Sequence, residues 1–320
     1  MNSKQRPSWL PSEIGYNPGS PRNLSPDGAK TLAVMLGSGG VTPNPYRNGP
    51  SAAIIVNNTT YLIDAGEGIW RGLARAAASH PELIGEHLAP NRLTKLFLTH
   101  LHSDHTVGLP AVWLLPWAYG REEPLNVFGP VGTRSMMDHV VEAYQEDLKE
   151  RLSWPAAKAR NPDGMKAITH DIKETGLVYE DENVKIEAYH HQHATFKQNF
   201  AYRFTTEDRV IAWAGDGRVM GQLDEATRDA DLFFCELSTE DNVGNANWGG
   251  TTKEEKAKTI WLYHIRPKEL ADFATEMNVK QLVTMHERNY TDPYVPDALM
   301  EEFKRDYAGA VYSARDGDVY

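Results

Sequence analysis

Short apolar runs bounded by Gly, Pro and Asn recur along the sequence. Runs of four to eight apolar residues between such turn residues are typical of buried strands. They predict strands over residues 31–36, 52–56, 60–63, 93–99, 184–189, 200–204, 210–214, 232–235 and 281–285. The second and third of these flank Asn57 and Asn58, which predicts a hairpin.

Segments with helical periodicity separate these strands. Residues 69–79 and 140–152 are expected to be helical, and apolar residues after Pro267 recur at the i, i+3, i+4, i+7 spacing of a helix with one buried face. Strands and helices fill two stretches of similar size, residues 31–150 and 177–320. The pattern predicts an α/β (α+β) fold in which two sheets pack face to face with helices outside.

The ends of this pattern suggest the domain organisation. Residues 1–30 carry five prolines, which predicts an irregular N-terminal arm. Residues 31–320 are expected to form a single domain. Residues 153–172 contain Trp154 and two prolines and predict an insertion, either a lid over a site or a dimer contact.

Composition narrows the classes of function. The chain has 44 acidic and 33 basic residues and a net charge of -11, which argues against a long nucleic-acid partner. Its longest apolar run, residues 111–119, is interrupted by Pro116 and falls short of the roughly 18 residues of a membrane span. The single Cys235 excludes intrachain disulfides and Cys-rich zinc sites. Residues 1–30 show no hydrophobic signal segment, and the localisation stays open.

The strongest chemical signal follows the predicted strand at residues 93–99. His100, His102, Asp104 and His105 lie within six residues directly after it. Imidazole nitrogens and carboxylate oxygens are ligands that zinc and related divalent metals prefer. A solvated loop that happens to be rich in histidine is the alternative. With only 12 histidines in 320 residues, such a cluster behind a buried strand favours a metal site.

This His-x-His-x-Asp-His stretch resembles the signature of the metallo-β-lactamase-fold hydrolases. The resemblance implies a four-layer αββα sandwich that holds two metal ions, Zn²⁺ or else Mn²⁺ or Fe²⁺. It also implies that Asp216 bridges the two ions and that Asp64 supports the site from behind the ligands. By the same resemblance, His100, His102 and His193 would hold one ion, and Asp104, His105 and His286 the other.

The middle histidine ligand has three candidates, His190, His191 and His193. The strand beginning Ala201-Tyr202 resembles one in the ribonuclease Z and zinc arylsulfatase subgroup, whose ligand lies nine residues before that tyrosine. This spacing favours His193. His191 is the alternative, since it lies on the same face of an extended chain.

A further mark of the same subgroup is His264, which lies 22 residues before His286. It matches an extra histidine of ribonuclease Z-type enzymes, although Ile265 and Arg266 follow it here in place of small hydroxyl residues. The resemblance implies that His264 assists the leaving group and that Asp104 orients or deprotonates the nucleophile. The alternative is that His264 caps the helix that begins at Pro267.

The substrate is expected to be small. Ribonuclease Z carries a tRNA-clamping arm between its third histidine ligand and its bridging aspartate, whereas only 23 positions separate His193 from Asp216 and residues 205–209 form the whole turn. The main expectation is a dinuclear zinc hydrolase of small sulfate or phosphate esters, such as an arylsulfatase or phosphodiesterase. Nucleic acid is then an unlikely partner and no membrane is expected, while a homodimer is possible because homodimers are usual in the resembling family.

Two alternatives remain for the activity, a ribonuclease Z-type tRNA 3′-endonuclease and a lactonase or thioesterase of the same superfamily. Trp113, Trp117 and Tyr119 follow the histidine cluster closely. They could form an aromatic wall for an aryl substrate or pack in the core. Because every expected ligand position is filled, an inactive binding scaffold is disfavoured.

Overall fold

Two β-sheets organise the chain in the computed structural model, which describes residues 21–42, 44, 46–155, 160–239, 250–286 and 303–320. The first sheet has the order β1 (Thr31–Gly37), β2 (Ser51–Val56), β3 (Thr59–Ile63), β4 (Lys95–Phe97), β5 (Leu125–Pro130) and β6 (Ala167–Ile172). Its first three strands are antiparallel, and β3 to β6 run parallel.

The second sheet places its strands in sequence order from one edge to the other. They are β7 (Gly176–Glu180), β8 (Lys185–His190), β9 (Phe200–Thr205), β10 (Val210–Trp213), β11 (Leu232–Glu236), β12 (Gln281–Met285) and β13 (Ala310–Ser313). Strands β7 to β10 are antiparallel, and β10 to β13 are parallel. Both sheets therefore join an antiparallel part to a parallel part.

Helices cover the outer faces of both sheets. The α-helices among the described residues are α1 (Ile69–Ser79), α2 (Ser103–Thr106), α3 (Leu109–Ala118), α4 (Thr133–Ala143), α5 (Gln145–Ser153), α6 (Leu223–Thr227), α7 (Lys253–Tyr263) and α8 (Pro267–Glu276), and most of them take part in this cover. No helix among the described residues combines the length and the apolar character that crossing a bilayer requires.

The side chains of β1 show how the layers form. Leu32 and Val34 pack outward beneath helices α1 and α3, while Ala33 and Met35 point into the space between the two sheets. A strand that is covered on both faces is apolar at every position, which explains the continuous runs in the sequence. A third cluster packs α6 and α8 on the outer face of the second sheet. The predicted four-layer αββα fold is confirmed.

Several elements differ from the sequence-based expectation. The helix expected over residues 140–152 is two helices, because the chain leaves helical geometry at Tyr144. The strand expected over residues 93–99 is only β4. Strand β6 occupies the end of the predicted insertion and pairs with β5, so that part belongs to the sheet. Residues 1–20 of the predicted arm and 156–159 of the predicted insertion lie outside the described residues.

Candidate metal centre

The predicted ligands meet where parallel strands of both sheets end. Strand β3 leads into Asp64, β4 leads to His100, and β10 leads to Asp216. Strand β12 ends one residue before His286. Carboxyl ends of parallel strands are the usual position of ligand sites in α/β folds, since several chain segments leave the sheet there together.

One group of donors consists of His100, His102 and His193. Nδ1 of His102 lies 3.0 Å from Nε2 of His100 and 3.2 Å from Nε2 of His193. A neutral imidazole carries a single N–H, so hydrogen bonds among the rings cannot satisfy all three converging nitrogens at once. Three imidazole nitrogens around one point are a typical partial ligand set for zinc.

A second group adjoins the first and consists of Asp104, His105, Asp216 and His286. Nε2 of His286 lies 3.1 Å from a carboxylate oxygen of Asp104 and 3.1 Å from one of Asp216. Nε2 of His105 lies 3.2 Å from the other oxygen of Asp216. The rings of His100 and His105 are 4.2 Å apart, which brings the two groups side by side.

The first group is suited to a cation because its histidines are neutral. Burial places the pKa of His100 well below its ordinary value and lowers the pKa of His193 to about 3. Nε2 of His105 and Oδ1 of Asp216 are buried and face each other at 3.2 Å, but neither atom forms a hydrogen bond of good geometry within the described part of the chain. Buried polar atoms of this kind require a partner. The donor set therefore fits divalent ions.

The second group carries negative charge. Burial alone would raise the pKa of Asp104, but its hydrogen bond with His286 and the nearby His105 lower it to about 2. Burial also opposes charge on His105, yet the carboxylates of Asp216 and Asp64 outweigh it and raise its pKa well above the usual value. In the absence of a metal, a proton thus partly compensates the carboxylates that a divalent ion would otherwise neutralise.

Asp64 contacts the second group from the side away from its converging donor atoms. Its carboxylate accepts the backbone N–H of Thr99 at 2.8 Å and lies 2.9 Å from Nδ1 of His105. This contact directs Nε2 of His105 toward Asp216, the arrangement by which carboxylates orient metal-binding histidines. Asp64 and His286 both adopt left-handed backbone angles, with φ of 53° and 56°. Such angles cost non-glycine residues on the order of 1 kcal/mol and concentrate at functional sites.

The structure brings His193 to the cluster and turns His191 away from it. The two ring nitrogens of His191 lie 2.9 Å from the carbonyl oxygen of Ala214 and 2.8 Å from that of Arg218. Nδ1 of His193 lies 3.2 Å from the carbonyl oxygen of Tyr263, which leaves Nε2 to face the other histidines. The spacing that favoured His193 agrees with this placement.

His264 also lies at the cluster, held by a residue that the sequence analysis missed. Its Nδ1 bonds to the carboxylate of Glu236, which ends β11 and is fully buried. The same carboxylate accepts the N–H of Gly217 and lies 3.7 Å from Nδ1 of His286. The available signal was an acidic residue directly after the apolar run at 232–235. Arg266 rather than His264 precedes α8, so the helix-capping alternative is wrong.

The tryptophans after the histidine cluster serve the core. Trp113 and Trp117 are buried, and the indole of Trp113 donates to the carbonyl of Met165. Tyr119 is exposed and lies beside Trp70. The packing interpretation of these rings is therefore the better one. Two other aromatic residues, Phe196 and Tyr263, lie beside the first group of histidines.

Comparison with known proteins identifies the family. The sequence matches the family described as the beta-lactamase superfamily domain over residues 59–286. The chain belongs to this superfamily. Ribonuclease Z of Mycobacterium marinum is 28% identical over 256 residues, which cover 79% of this chain and 85% of that protein. Ribonuclease Z of Mycobacterium bovis is 27% identical over 287 residues, which cover 88% and 93%.

A solved structure shows the same fold. The crystal structure of human tRNase Z, short form, aligns with a TM-score of 0.64 at 22% identity and covers 90% of this chain and 98% of that one. The expected ribonuclease Z-like subgroup of the metallo-β-lactamase fold is confirmed. The protein is a metal-dependent hydrolase that acts on ester bonds.

Proposed function

We propose that the protein is a phosphodiesterase of the ribonuclease Z type, with two zinc ions as its cofactor and RNA as its substrate. The observation that carries this proposal is the buried pair of His264 and Glu236 beside the two groups of metal donors. The ring of His264 lies 5.8 Å from that of His193 and 5.9 Å from that of His286. It therefore borders both groups.

Glu236 prepares His264 to act as an acid. The carboxylate holds Nδ1 and thereby fixes the orientation of the ring, whose Nε2 would act as the acid. Its negative charge would compensate a proton carried by the ring, as the aspartate of a catalytic triad does for its histidine. An alcohol that leaves from a phosphodiester needs such a proton, whereas a nitrophenolate leaves readily without one. The pair therefore favours alkyl leaving groups such as a ribose hydroxyl.

The other residues would hold and orient the reactants. His100, His102 and His193 would bind one ion, and Asp104, His105 and His286 the other, with Asp216 contacting both. Bound divalent ions supply hydroxide at neutral pH and neutralise charge on phosphate oxygens. Asp104 keeps some solvent exposure at this site and would orient the attacking nucleophile.

This proposal reverses the expectation that nucleic acid is an unlikely partner. Relatives named ribonuclease Z cover most of this chain, which supports RNA better than the arylsulfatase interpretation. A small sulfate or phosphate ester remains the second candidate because of one observation. Strands β9 and β10 are joined by a tight turn in which the N–H of Thr206 donates to the carbonyl of Arg209, with no arm inserted at that point.

Leaving-group dependence tests the proposal. Zinc-loaded protein is assayed on a pre-tRNA with a 3′ trailer, on bis(p-nitrophenyl) phosphate and on p-nitrophenyl sulfate. We expect His264→Ala to lower kcat on the pre-tRNA by about 10²- to 10⁴-fold and to change kcat on the nitrophenyl diester only slightly. His139→Ala, at an exposed position on α4, is the matched control. Hydrolysis of the sulfate with intact pre-tRNA would instead support the second candidate.

A further inference from the structure

Two aromatic side chains border the histidine group formed by His100, His102 and His193. The ring of Phe196 lies 4.5 Å from that of His102 and 5.6 Å from that of His100, edge to face in both cases. The ring of Tyr263 lies 5.1 Å from that of His193, also edge to face. The two rings thus contact different members of one group.

Backbone contacts hold both residues beside the site. The N–H of Phe196 donates to the carbonyl of His193 in a tight turn, and Ala194 in that turn has a φ of 45°. Further along the loop, the side chain of Gln198 accepts the N–H of Val131 at 2.7 Å. Tyr263 ends α7, and its carbonyl oxygen faces Nδ1 of His193.

Both rings remain accessible in part. Phe196 and Tyr263 are half-buried, in contrast to Trp113 and Trp117, which lie within the helical layer of the first sheet. A core residue would be fully buried, whereas Phe196 and Tyr263 contact histidine rings and are still partly exposed. Half-buried aromatic rings beside a reaction centre can stack on a flat group of the substrate.

We propose that Phe196 and Tyr263 form a stacking cleft for a planar ring attached to the scissile ester. This inference rests on the proposed phosphodiesterase activity and names the ring as a nucleobase. Stacking of a base on an aromatic side chain is worth about 1–3 kcal/mol, or about 5- to 150-fold in affinity, and tolerates every base because each has a π-face. Phe196 and Tyr263 thereby determine a preference for substrates that carry a planar ring, whichever base it is.

Three diesters with the same p-nitrophenyl leaving group test the cleft. Their second ester arm is methyl, phenyl or thymidine-5′, so only the planar group on that arm varies. We expect the wild-type protein to have a higher kcat/KM for the thymidine diester than for the methyl diester. Phe196→Leu and Tyr263→Leu should each reduce this ratio by about 5-fold or more, mainly through KM. Phe196→Tyr keeps an aromatic ring and should therefore keep the wild-type ratio.

The alternative is that the rings only shield the metal groups. Loss of shielding would lower bound metal and would reduce kcat on all three diesters equally, leaving the ratio unchanged. An unchanged ratio in both leucine variants at full metal content would overturn the inference. A preference for the phenyl diester over the thymidine diester would overturn the nucleobase assignment. Failure of the wild-type protein to cleave any of the three would instead overturn the proposed function.

Discussion

The two ends of the sandwich each place a carboxylate between the sheets but satisfy it in different ways. At the end opposite the metal centre, Asp181 accepts hydrogen bonds from the hydroxyls of Tyr61 and Tyr179 at 2.7 and 2.8 Å. It also accepts the N–H groups of Asn183 and Val184. Neutral donors from both sheets thus surround one negative charge.

At the metal centre the donors and acceptors do not balance. Asp216 faces His105 and His286, and its Oδ1 lacks a hydrogen bond of good geometry among the described residues although it is buried. At the opposite end, hydroxyl and N–H donors satisfy the hydrogen-bonding capacity of the carboxylate. At the metal centre, imidazoles and carboxylates face one another, and they need a cation between them. A cavity of about 310 Å³ lies at the opposite end, beside Asp181 and Asp208. Donor chemistry, rather than the size of a cavity, locates the site.

Replacing Asp216 or Asp181 with alanine, each in a separate variant, tests this contrast most directly. Asp216→Ala should lower kcat/KM by at least about 10³-fold and reduce bound metal, because the stabilisation that metal ions give to the transition state is worth several kcal/mol. Asp181→Ala should leave kcat and metal content unchanged while lowering the urea midpoint of unfolding. Metal quantification and steady-state kinetics on the same preparations measure both. Full metal content in Asp216→Ala would refute the bridging assignment.

The proposed role of Glu236 predicts the next largest effect. Glu236→Gln keeps the shape of the side chain but removes the charge that supports His264, so kcat on the pre-tRNA should fall by about 10²-fold. Turnover of the nitrophenyl diester should change little. The matched control is Glu207→Gln at the opposite end, where Glu207 forms an exposed ion pair with Lys30. Equal losses on both substrates would mean that Glu236 acts only on the metal ligands.

The sequence predicted most of the buried strands, and it also singled out the residues that meet at the candidate metal centre, for a common physical reason. Strands covered on both faces are continuous apolar runs, and the candidate ligands follow directly where those runs end, as His100 and His286 do. The ends of the apolar runs, which the sequence pattern predicts, are therefore also the positions of the candidate ligands. The four-layer arrangement followed from the alternation of strands and helices together with the resemblance carried by the histidine cluster.

The features that the sequence did not predict depend on contacts between distant segments. Strands β6 and β7 lie at the edges of their sheets, and neither forms a long apolar run: β6 buries only two of its six residues, and no residue of β7 is fully buried. Glu236 gains its role only because α7 brings His264 beside β11. Phe196 likewise lies in a polar loop, and its contact with His102 spans more than ninety positions of sequence.

Asp64 offers a finer test of how the metal end is built. Asp64→Asn removes the charge that orients His105, and loss of such a supporting carboxylate typically costs about 10- to 100-fold in metal affinity. Competition with a chelator of known affinity measures the change. The control is Asp208→Asn at the opposite end, where Asp208 accepts the hydroxyl of Thr31. A similar loss of metal in both variants would point to general destabilisation rather than to orientation of the ligand.

The smallest expected effect concerns the pH dependence of the opposite end. Burial raises the pKa of Asp181, but hydrogen bonds from Tyr61 and Asn183 outweigh it and bring the pKa below the ordinary value of 3.8. Because the folded protein has the lower pKa, the stabilisation by this carboxylate is complete above pH 3.8 and is lost as the pH falls through the folded value.

Urea unfolding of the wild-type protein and of Asp181→Asn at pH 6 and at pH 3 measures this contribution. The difference in unfolding free energy between the two proteins should shrink at pH 3, by less than about 1 kcal/mol because the group is partly exposed to solvent. Titration of the distant metal centre is common to both proteins and cancels in the difference. If the difference in unfolding free energy were the same at pH 6 and at pH 3, the stabilisation would come from packing of the Asp181 side chain rather than from its charge. The contrast between the two ends in how they hold a charge would then be lost.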